Sequence, residues 1–298
     1  MAAPAGLDAI ARDDGTFAIV AMDQRNTLRR MMTAVDKPTD DATLQEFKRD
    51  VVTPLLGLAS GVLLDPDLGI PSIAGVPRAG TGILVAAEPE KKASYEGEPR
   101  ATRLPAQDAA WVRSLGGDAV KFLVQLRADR PTGGEGPDLV AELTEVVQTV
   151  VDDCREAGVP SVVENLIYRL PDEEELSPEA RAQAIIEAAR VLDGLGCDLL
   201  KLEYPGSPEA CRQLAEAIST PWAVLSAGVA FDRFTEVLRI ACDEGGASGF
   251  IAGRAIWKEA VELDGEPRRE FLGSVGRERL AGCVAAIDGR ATPWRHRG

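Results

Sequence analysis

Histidine is almost absent from this sequence. Its 298 residues contain one, His296, two positions from the C-terminus and flanked by Arg295 and Arg297. Terminal segments order poorly unless something ties them down, so His296 is read as inert and the segment 291–298 as flexible. Without a usable imidazole, Ser-His-Asp triads, Cys-His pairs and histidine-rich zinc sites are all excluded. Acid–base chemistry must fall to Asp, Glu, Lys, Tyr or Cys. Cysteine offers little more. The five residues (Cys154, Cys197, Cys211, Cys242, Cys283) are an odd number, widely spaced, with no C-x-x-C pair. Neither a disulfide framework nor a zinc ribbon is expected, and reduced thiols fit a cytoplasmic protein. No apolar run approaches the ~20 residues of a membrane helix. Met1-Ala2-Ala3-Pro4 has neither the charged nor the apolar region of a signal peptide. Positive charge is also short, with 33 Lys and Arg against 48 Asp and Glu, a formal net charge of −15. That argues against nucleic acid or an anionic membrane as a partner, but leaves room for a local basic pocket around a small anion. Neither a metal ion nor a cofactor is expected.

What the chain does have is short apolar runs. There are eight: Phe17–Gln24, Gly61–Asp65, Gly82–Glu88, Ala119–Leu126, Ser161–Tyr168, Asp198–Tyr204, Pro221–Gly228 and Gly249–Arg254. Most carry Val, Ile and Leu on both parities, as strands buried on both faces do. Helical patterns separate most of them. Ser177-Pro178-Glu179 and Ser207-Pro208-Glu209 each read as an N-cap, a first-turn proline and a first-turn acid. Leu139, Leu143, Val146, Val147 and Val150 share one helical face, and Gly158 and Pro160 mark that helix's end. Only Asp67–Thr81, rich in Gly and Pro, predicts a short or missing helix. Gly133-Gly134-Glu135-Gly136-Pro137 reads as a flexible loop. Eight strand–helix units in under 300 residues predict a single α/β domain, a (β/α)8 TIM barrel over residues 1–298. An open doubly wound sheet would call for a G-x-G-x-x-G after the first strand, and none is there.

The functional signal is charge inside those runs. A lone buried charge costs several kcal/mol, so such residues are paired or placed at a working site. Asp23, Asp65, Lys121, Glu164 and Lys201 stand out. Side chains alternate along a strand, so an inward Lys201 shares its face with Leu199 and Glu203. An inward Glu164 lies with Val162 and Leu166, and Lys121 with Ala119 and Leu123. Neighbouring strands are about 4.8 Å apart, which predicts a Lys121–Glu164–Lys201 row across the barrel. Free lysine titrates near about 10.4. Burial and a second cation depress that value and supply a neutral amine that can attack a carbonyl. The carboxylate between the lysines can move protons. The competing reading is a buried ion-pair network that only closes the barrel. Asp65, followed by Pro66, reads as a loop cap.

A second signal sits at the ends of the last two runs, Leu225-Ser226-Ala227-Gly228 and Ala252-Gly253-Arg254. Small residues expose backbone N–H groups, Ser226 adds a hydroxyl and Arg254 a permanent cation. In many barrels the loops after these strands hold a phosphate.

At these residues the sequence resembles the class I aldolase family that includes tagatose-1,6-bisphosphate aldolase and sulfofructose phosphate aldolase. The similarity runs from about Phe17 to Trp257. Met22-Asp23-Gln24-Arg25, Leu63-Leu64-Asp65-Pro66, Ala119-Val120-Lys121-Phe122-Leu123, Glu164 and Lys201-Leu202-Glu203 carry it, as do the segments Leu225–Val229 and Gly249–Trp257. The resemblance implies a (β/α)8 barrel, with Lys201 as the Schiff-base lysine and Glu164 as the proton-transfer group. It implies supporting roles for Lys121, Asp23, Gln24 and Arg25, with Ser226, Ala227, Gly228, Gly253 and Arg254 around a substrate phosphate. It also implies a phosphorylated sugar as substrate, dihydroxyacetone phosphate as one product, and a homo-oligomer. Thr220-Pro221-Trp222 and Gly246–Phe250 resemble the sulfofructose phosphate branch, whereas Glu164–Tyr168 matches neither branch and Ala87–Gly97 is this chain's own. Two other readings stay open on the residues alone: a phosphosugar isomerase using a carboxylate base, and a barrel that binds a phosphosugar without turning it over.

Overall fold

The structure is a computed structural model that describes residues 6–131 and 136–296. Of the glycine-rich loop after the fourth run, Thr132 to Glu135 lie outside the described residues. Eight parallel strands close into a barrel: β1 (Phe17–Met22), β2 (Gly61–Leu64), β3 (Gly82–Ala86), β6 (Ala119–Val124), β7 (Ser161–Asn165), β8 (Leu199–Leu202), β9 (Trp222–Leu225) and β10 (Gly249–Ala252). Each lies within one of the eight apolar runs and stops short of its C-terminal end. Asp23 and Asp65 therefore sit just past their strands, Glu164 and Lys201 one residue inside the ends of β7 and β8, and Lys121 deeper on β6, below the rim where (β/α)8 enzymes build their sites. Between β3 and β6 the chain adds an antiparallel hairpin, β4 (Ala93–Tyr95) and β5 (Glu98–Arg100), turned by Glu96 and Gly97, both at positive φ. This hairpin has no apolar alternation and was not foreseen.

Alternation along the strands builds two cores. Phe17, Ile19, Leu63, Leu84, Ala119, Val162, Leu199, Ala223 and Ile251 fill the barrel interior. Ala18, Val20, Val120, Leu200, Leu202 and Phe250 face outward and pack under the helices. The helices begin and end as their sequences dictate. Ser177 and Ser207 accept hydrogen bonds from the N–H groups of Ala180 and Ala210. Asp138 caps the helix Leu139–Ala157, which stops at Gly158 in the left-handed conformation. Residues 67–81 form one four-residue helix, Gly69–Ser72, as expected from their glycines and prolines. No helix among the described residues is long and apolar enough to cross a membrane.

The C-terminal segment differs from expectation. Thr292 N–H donates to Ala247 O, Trp294 N–H donates to Gly15 O, and the indole packs on the barrel floor beside Leu7 and Ile10. A large apolar side chain with an apolar site to cover ties the segment down through His296, at the end of the barrel remote from the charged rim. All five cysteines are buried.

Barrel closure depends on Gly249, where β10 meets β1. Its φ is +135°, and an added Cβ would lie 2.0 Å from Phe17 O. Gly249→Ala should therefore cost about 3 kcal/mol or more, read from denaturant unfolding. Ser177→Ala should cost about 1 kcal/mol.

Candidate active site

The apolar filling of the barrel gives way to charge at the C-terminal rim. Lys201 on β8 pairs in register with Glu164 on β7. Lys121 on β6 lies one inward position lower, opposite Val162, so the row runs diagonally rather than straight. One carboxylate oxygen joins the two amines: Glu164 Oε2 lies 2.8 Å from Lys121 Nζ and 2.9 Å from Lys201 Nζ. Lys121 Nζ also meets Asp23 Oδ2 and Glu88 Oε1, each at 2.9 Å. It is 1% exposed, and its three carboxylate partners leave none of its protons for another base.

Burial alone would neutralise these groups, but their mutual attraction prevails. Burial opposes the charge on Lys121, yet Asp23, Glu164 and Glu88 together hold its pKa well above the ordinary lysine value. Burial likewise pushes Asp23 upward, but Lys121 and then Lys201 outweigh it and hold the carboxyl well below the usual range. Glu164 is lowered by the same two lysines against its burial. Lys121 is therefore a fixed cation and cannot serve as the neutral amine. Lys201 has a single carboxylate contact in this cluster. Were it to lose its proton, Glu164 would still be paired with Lys121.

Two residues of the cluster were not singled out from sequence. Glu88 accepts from Lys121 and also from Leu123 N–H, 3.1 Å away. Its parity with Leu84 and Ala86 on the inner face was the signal. Lys48, on the helix Asp41–Val52, is fully buried and donates to Met22 O, Gln24 O and Asp65 Oδ1. Asp65 also accepts from Leu68 N–H, the loop cap expected of it. Lys48 thus fixes the end of β1 from behind and sets Asp23 and Gln24 on the rim. Glu203 accepts from Ile167 N–H and pairs with Arg181, bracing the loop after β7.

Above the cluster opens a cavity of about 610 Å³, within the range of small-molecule sites. Its lining holds seven cations (Arg25, Arg30, Lys91, Lys92, Lys121, Lys201, Arg254) against four carboxylates (Asp23, Glu88, Glu90, Glu164). A protein of net charge −15 thus turns a positive face inward here, as suits an anionic ligand. At one side the loops after β9 and β10 meet. Gly228, at φ +79°, lets the Arg254 guanidinium lie where a Cβ would be 3.1 Å from Cζ. Gly253 packs so closely on β1 that a Cβ would stand 2.4 Å from Ala21 O. Ser226 and Ala227 complete this turn, with Ser226 O accepting from Val229 N–H. Among the described residues the Arg254 guanidinium forms no hydrogen bond or ion pair. Gln24 Oε1 is buried beside the same cavity without a donor. Arg25 also reaches the cavity, but its guanidinium is spent on Glu88 O and Asp67. No group of three or more His, Cys, Asp and Glu among the described residues could hold a metal ion.

Residues 17–259 match the profile of the DeoC/LacD family aldolases. The chain belongs to the DeoC/LacD family of aldolases. An aldehyde-lyase is thereby distinguished from an isomerase or a non-catalytic barrel. The aldolase is 29% identical to tagatose 1,6-diphosphate aldolase 2 of Streptococcus pyogenes over 94% of its own length and 93% of the relative's. It is 28% identical to tagatose 1,6-diphosphate aldolase of Listeria innocua, covering 97% and 92%. Its fold is like that of an archaeal fructose-1,6-bisphosphate aldolase whose catalytic Lys was captured as the carbinolamine of its substrate. The TM-score is 0.63 at 20% identity, covering 93% and 97% of the two chains.

The cluster fixes a pH dependence of stability. Carboxylates with lowered folded pKa stabilise the fold above their ordinary range of about 3.9–4.3, and that contribution is lost as pH falls toward their folded values. Lys121, with a raised folded pKa, contributes fully below about 10.4, and the contribution is lost as pH rises through its higher folded value. Lys121→Met should cost about 3–5 kcal/mol at neutral pH. The deficit should shrink as acid neutralises the carboxylates left without Lys121, which urea unfolding at pH 7 and pH 4 would reveal.

Proposed function

We propose that this aldolase cleaves a ketohexose 1-phosphate derivative (tagatose or fructose 1,6-bisphosphate, or 6-deoxy-6-sulfofructose 1-phosphate) reversibly into dihydroxyacetone phosphate and an aldehyde. The observation that carries this reading is the single Glu164 oxygen between two buried lysines, one locked as a cation and the other free to react. Lys201 is the Schiff-base residue. Its neutral amine adds to the C2 carbonyl, and the carbinolamine loses water to give an iminium. The C4 hydroxyl then gives up its proton and the C3–C4 bond breaks, its electron pair moving into the iminium to form an enamine. The aldehyde leaves. Protonation of the enamine at C3 and hydrolysis of the imine release dihydroxyacetone phosphate and restore Lys201.

Glu164 carries the protons. It lies within hydrogen-bond reach of Lys201 Nζ, and therefore beside the atoms that gain and lose protons in every step. Lys121 keeps a positive charge close to the C2 oxygen, which steadies oxyanion character there. Asp23, held by Lys121, is set to accept substrate hydroxyls. Gln24 offers its unpartnered oxygen to a hydroxyl donor. Arg25, through Glu88 and Asp67, keeps the loop after β3 against the end of β1. Ser226, Ala227, Gly228, Gly253 and Arg254 take the 1-phosphate, because an unpaired guanidinium beside exposed backbone and a hydroxyl suits a dianion. The tagatose 1,6-diphosphate aldolases among its relatives support the bisphosphates as substrates. The resemblance of Thr220-Pro221-Trp222 and Gly246–Phe250, at the starts of the last two strands, to the sulfofructose phosphate branch supports the sulfonate.

Borohydride reduction in the presence of dihydroxyacetone phosphate should leave a stable mass on Lys201, located by peptide mass spectrometry. Lys201→Arg should lower kcat by about 10⁴-fold or more, since no imine can form on a guanidinium. An adduct elsewhere, with activity surviving Lys201→Ala, would sink the assignment. Chelators should leave turnover unchanged.

A further inference from the structure

The closed ring runs β1-β2-β3-β6-β7-β8-β9-β10 and back to β1. In a ring of eight, the gap between β9 and β10, where Arg254 lies over Gly228, stands opposite the gap between β3 and β6. The hairpin β4–β5 grows out of that opposite gap. A substrate whose phosphate rests on the Arg254 side, with its carbonyl at Lys201 on the wall between, points its other end at this hairpin.

The hairpin is anchored with more charge than a surface ornament needs. Glu98, 8% exposed, accepts from Arg130 Nε at 2.8 and 3.0 Å and from Tyr168 Oη at 2.8 Å. Arg100 makes a two-bond pair with Glu142, both at 2.7 Å. Beneath them Arg127, 2% exposed, joins Asp129, Glu173 and Tyr168 O. The loops after β6 and β7 thereby lock to the hairpin. What the locked loop presents to the cavity is Lys91 and Lys92, with Glu90 beside them. Lys92 donates to Gln125 Oε1, 3.1 Å away, and lies within electrostatic reach of Glu88, Lys121 and Glu164. Lys91 is exposed and has no hydrogen bond or ion pair among the described residues.

We propose that this braced hairpin is a second anion-binding element, in which Lys92 with Lys91 takes the terminal anion (a phosphate monoester or a sulfonate) on the aldehyde half of the substrate. The proposal rests on the aldolase reading above and settles which end of the substrate each cation group serves. Glu98 is then a positioning residue, acting through the backbone it holds. Lysines suit the role because a compact ammonium on a long stem can meet either a tetrahedral phosphate or a sulfonate. The fixed loop also keeps the ordering cost of binding low.

The test compares three substrates that differ only at C6: a ketohexose 1,6-bisphosphate, the 6-sulfo 1-phosphate and the 1-phosphate with a plain hydroxyl. In the wild type, kcat/KM should favour at least one terminally charged substrate, and which one it is identifies the natural anion. The Lys91→Met/Lys92→Met double variant should lower that preference by ~10–100-fold, carried in KM. Lys91→Arg/Lys92→Arg should restore most of it. Glu98→Gln should lower the same preference at an unchanged borohydride adduct on Lys201, which a purely structural brace would not do. A wild type indifferent to C6, or a double variant that loses all three substrates equally, overturns the proposal. Absence of both cleavage and the Lys201 adduct in the wild type instead overturns the aldolase reading.

Discussion

One oxygen atom organises the charged end of this barrel. Glu164 Oε2 sits between two ammonium groups, 2.8 Å from one and 2.9 Å from the other. In a low-dielectric interior such a contact is worth having only when every remaining charge is matched. The matching is unequal: Lys121 holds Asp23 and Glu88 as well, whereas Lys201 holds nothing more within the cluster. That inequality separates a lysine locked by three carboxylates from one held by a single carboxylate, although both belong to one sheet. Even the placement of Asp23 follows from it, since the end of β1 must be fixed by Lys48 for its carboxylate to reach Lys121.

Around this core the cavity reverses the charge of the whole molecule. Strong overall acidity keeps the surface repelling small anions, while seven cations line the mouth. Field lines from such a patch are concentrated by the apolar barrel wall, so a small anion is drawn toward the cavity. Small residues at the ends of β9 and β10 let the backbone and Arg254 approach the same point from two loops.

The barrel was legible because its strands are apolar on both parities, and because its helices carry proline and serine starts that leave little choice of boundary. Lys121, Glu164 and Lys201 were legible for the opposite reason: charge stands out in an apolar run. Glu88 closes such a run and resembles an ordinary loop acid, so only its face parity with Leu84 and Ala86 betrays it. Lys48 reads as the polar side of an amphipathic helix, and nothing local indicates that backbone carbonyls from another strand await it. The hairpin β4–β5 escaped because its strands are three residues long and held by Glu98, Arg130 and Tyr168 rather than by apolar alternation. The docked C-terminus turned on Trp294 meeting an apolar floor that exists only once the barrel has closed.

The buried cysteines have a consequence outside catalysis. None of the five is at the cavity, and burial pushes the thiols of Cys154, Cys211, Cys242 and Cys283 up to about 12. Cys197 is raised by burial as well. Thiolates are the reactive form toward oxidants and alkylating reagents, so the native protein offers such reagents almost nothing. The unfolded chain offers five targets at once. Thiol labelling is therefore a native-to-unfolded clock for this protein, and peroxide should leave the folded molecule's cysteines unoxidised.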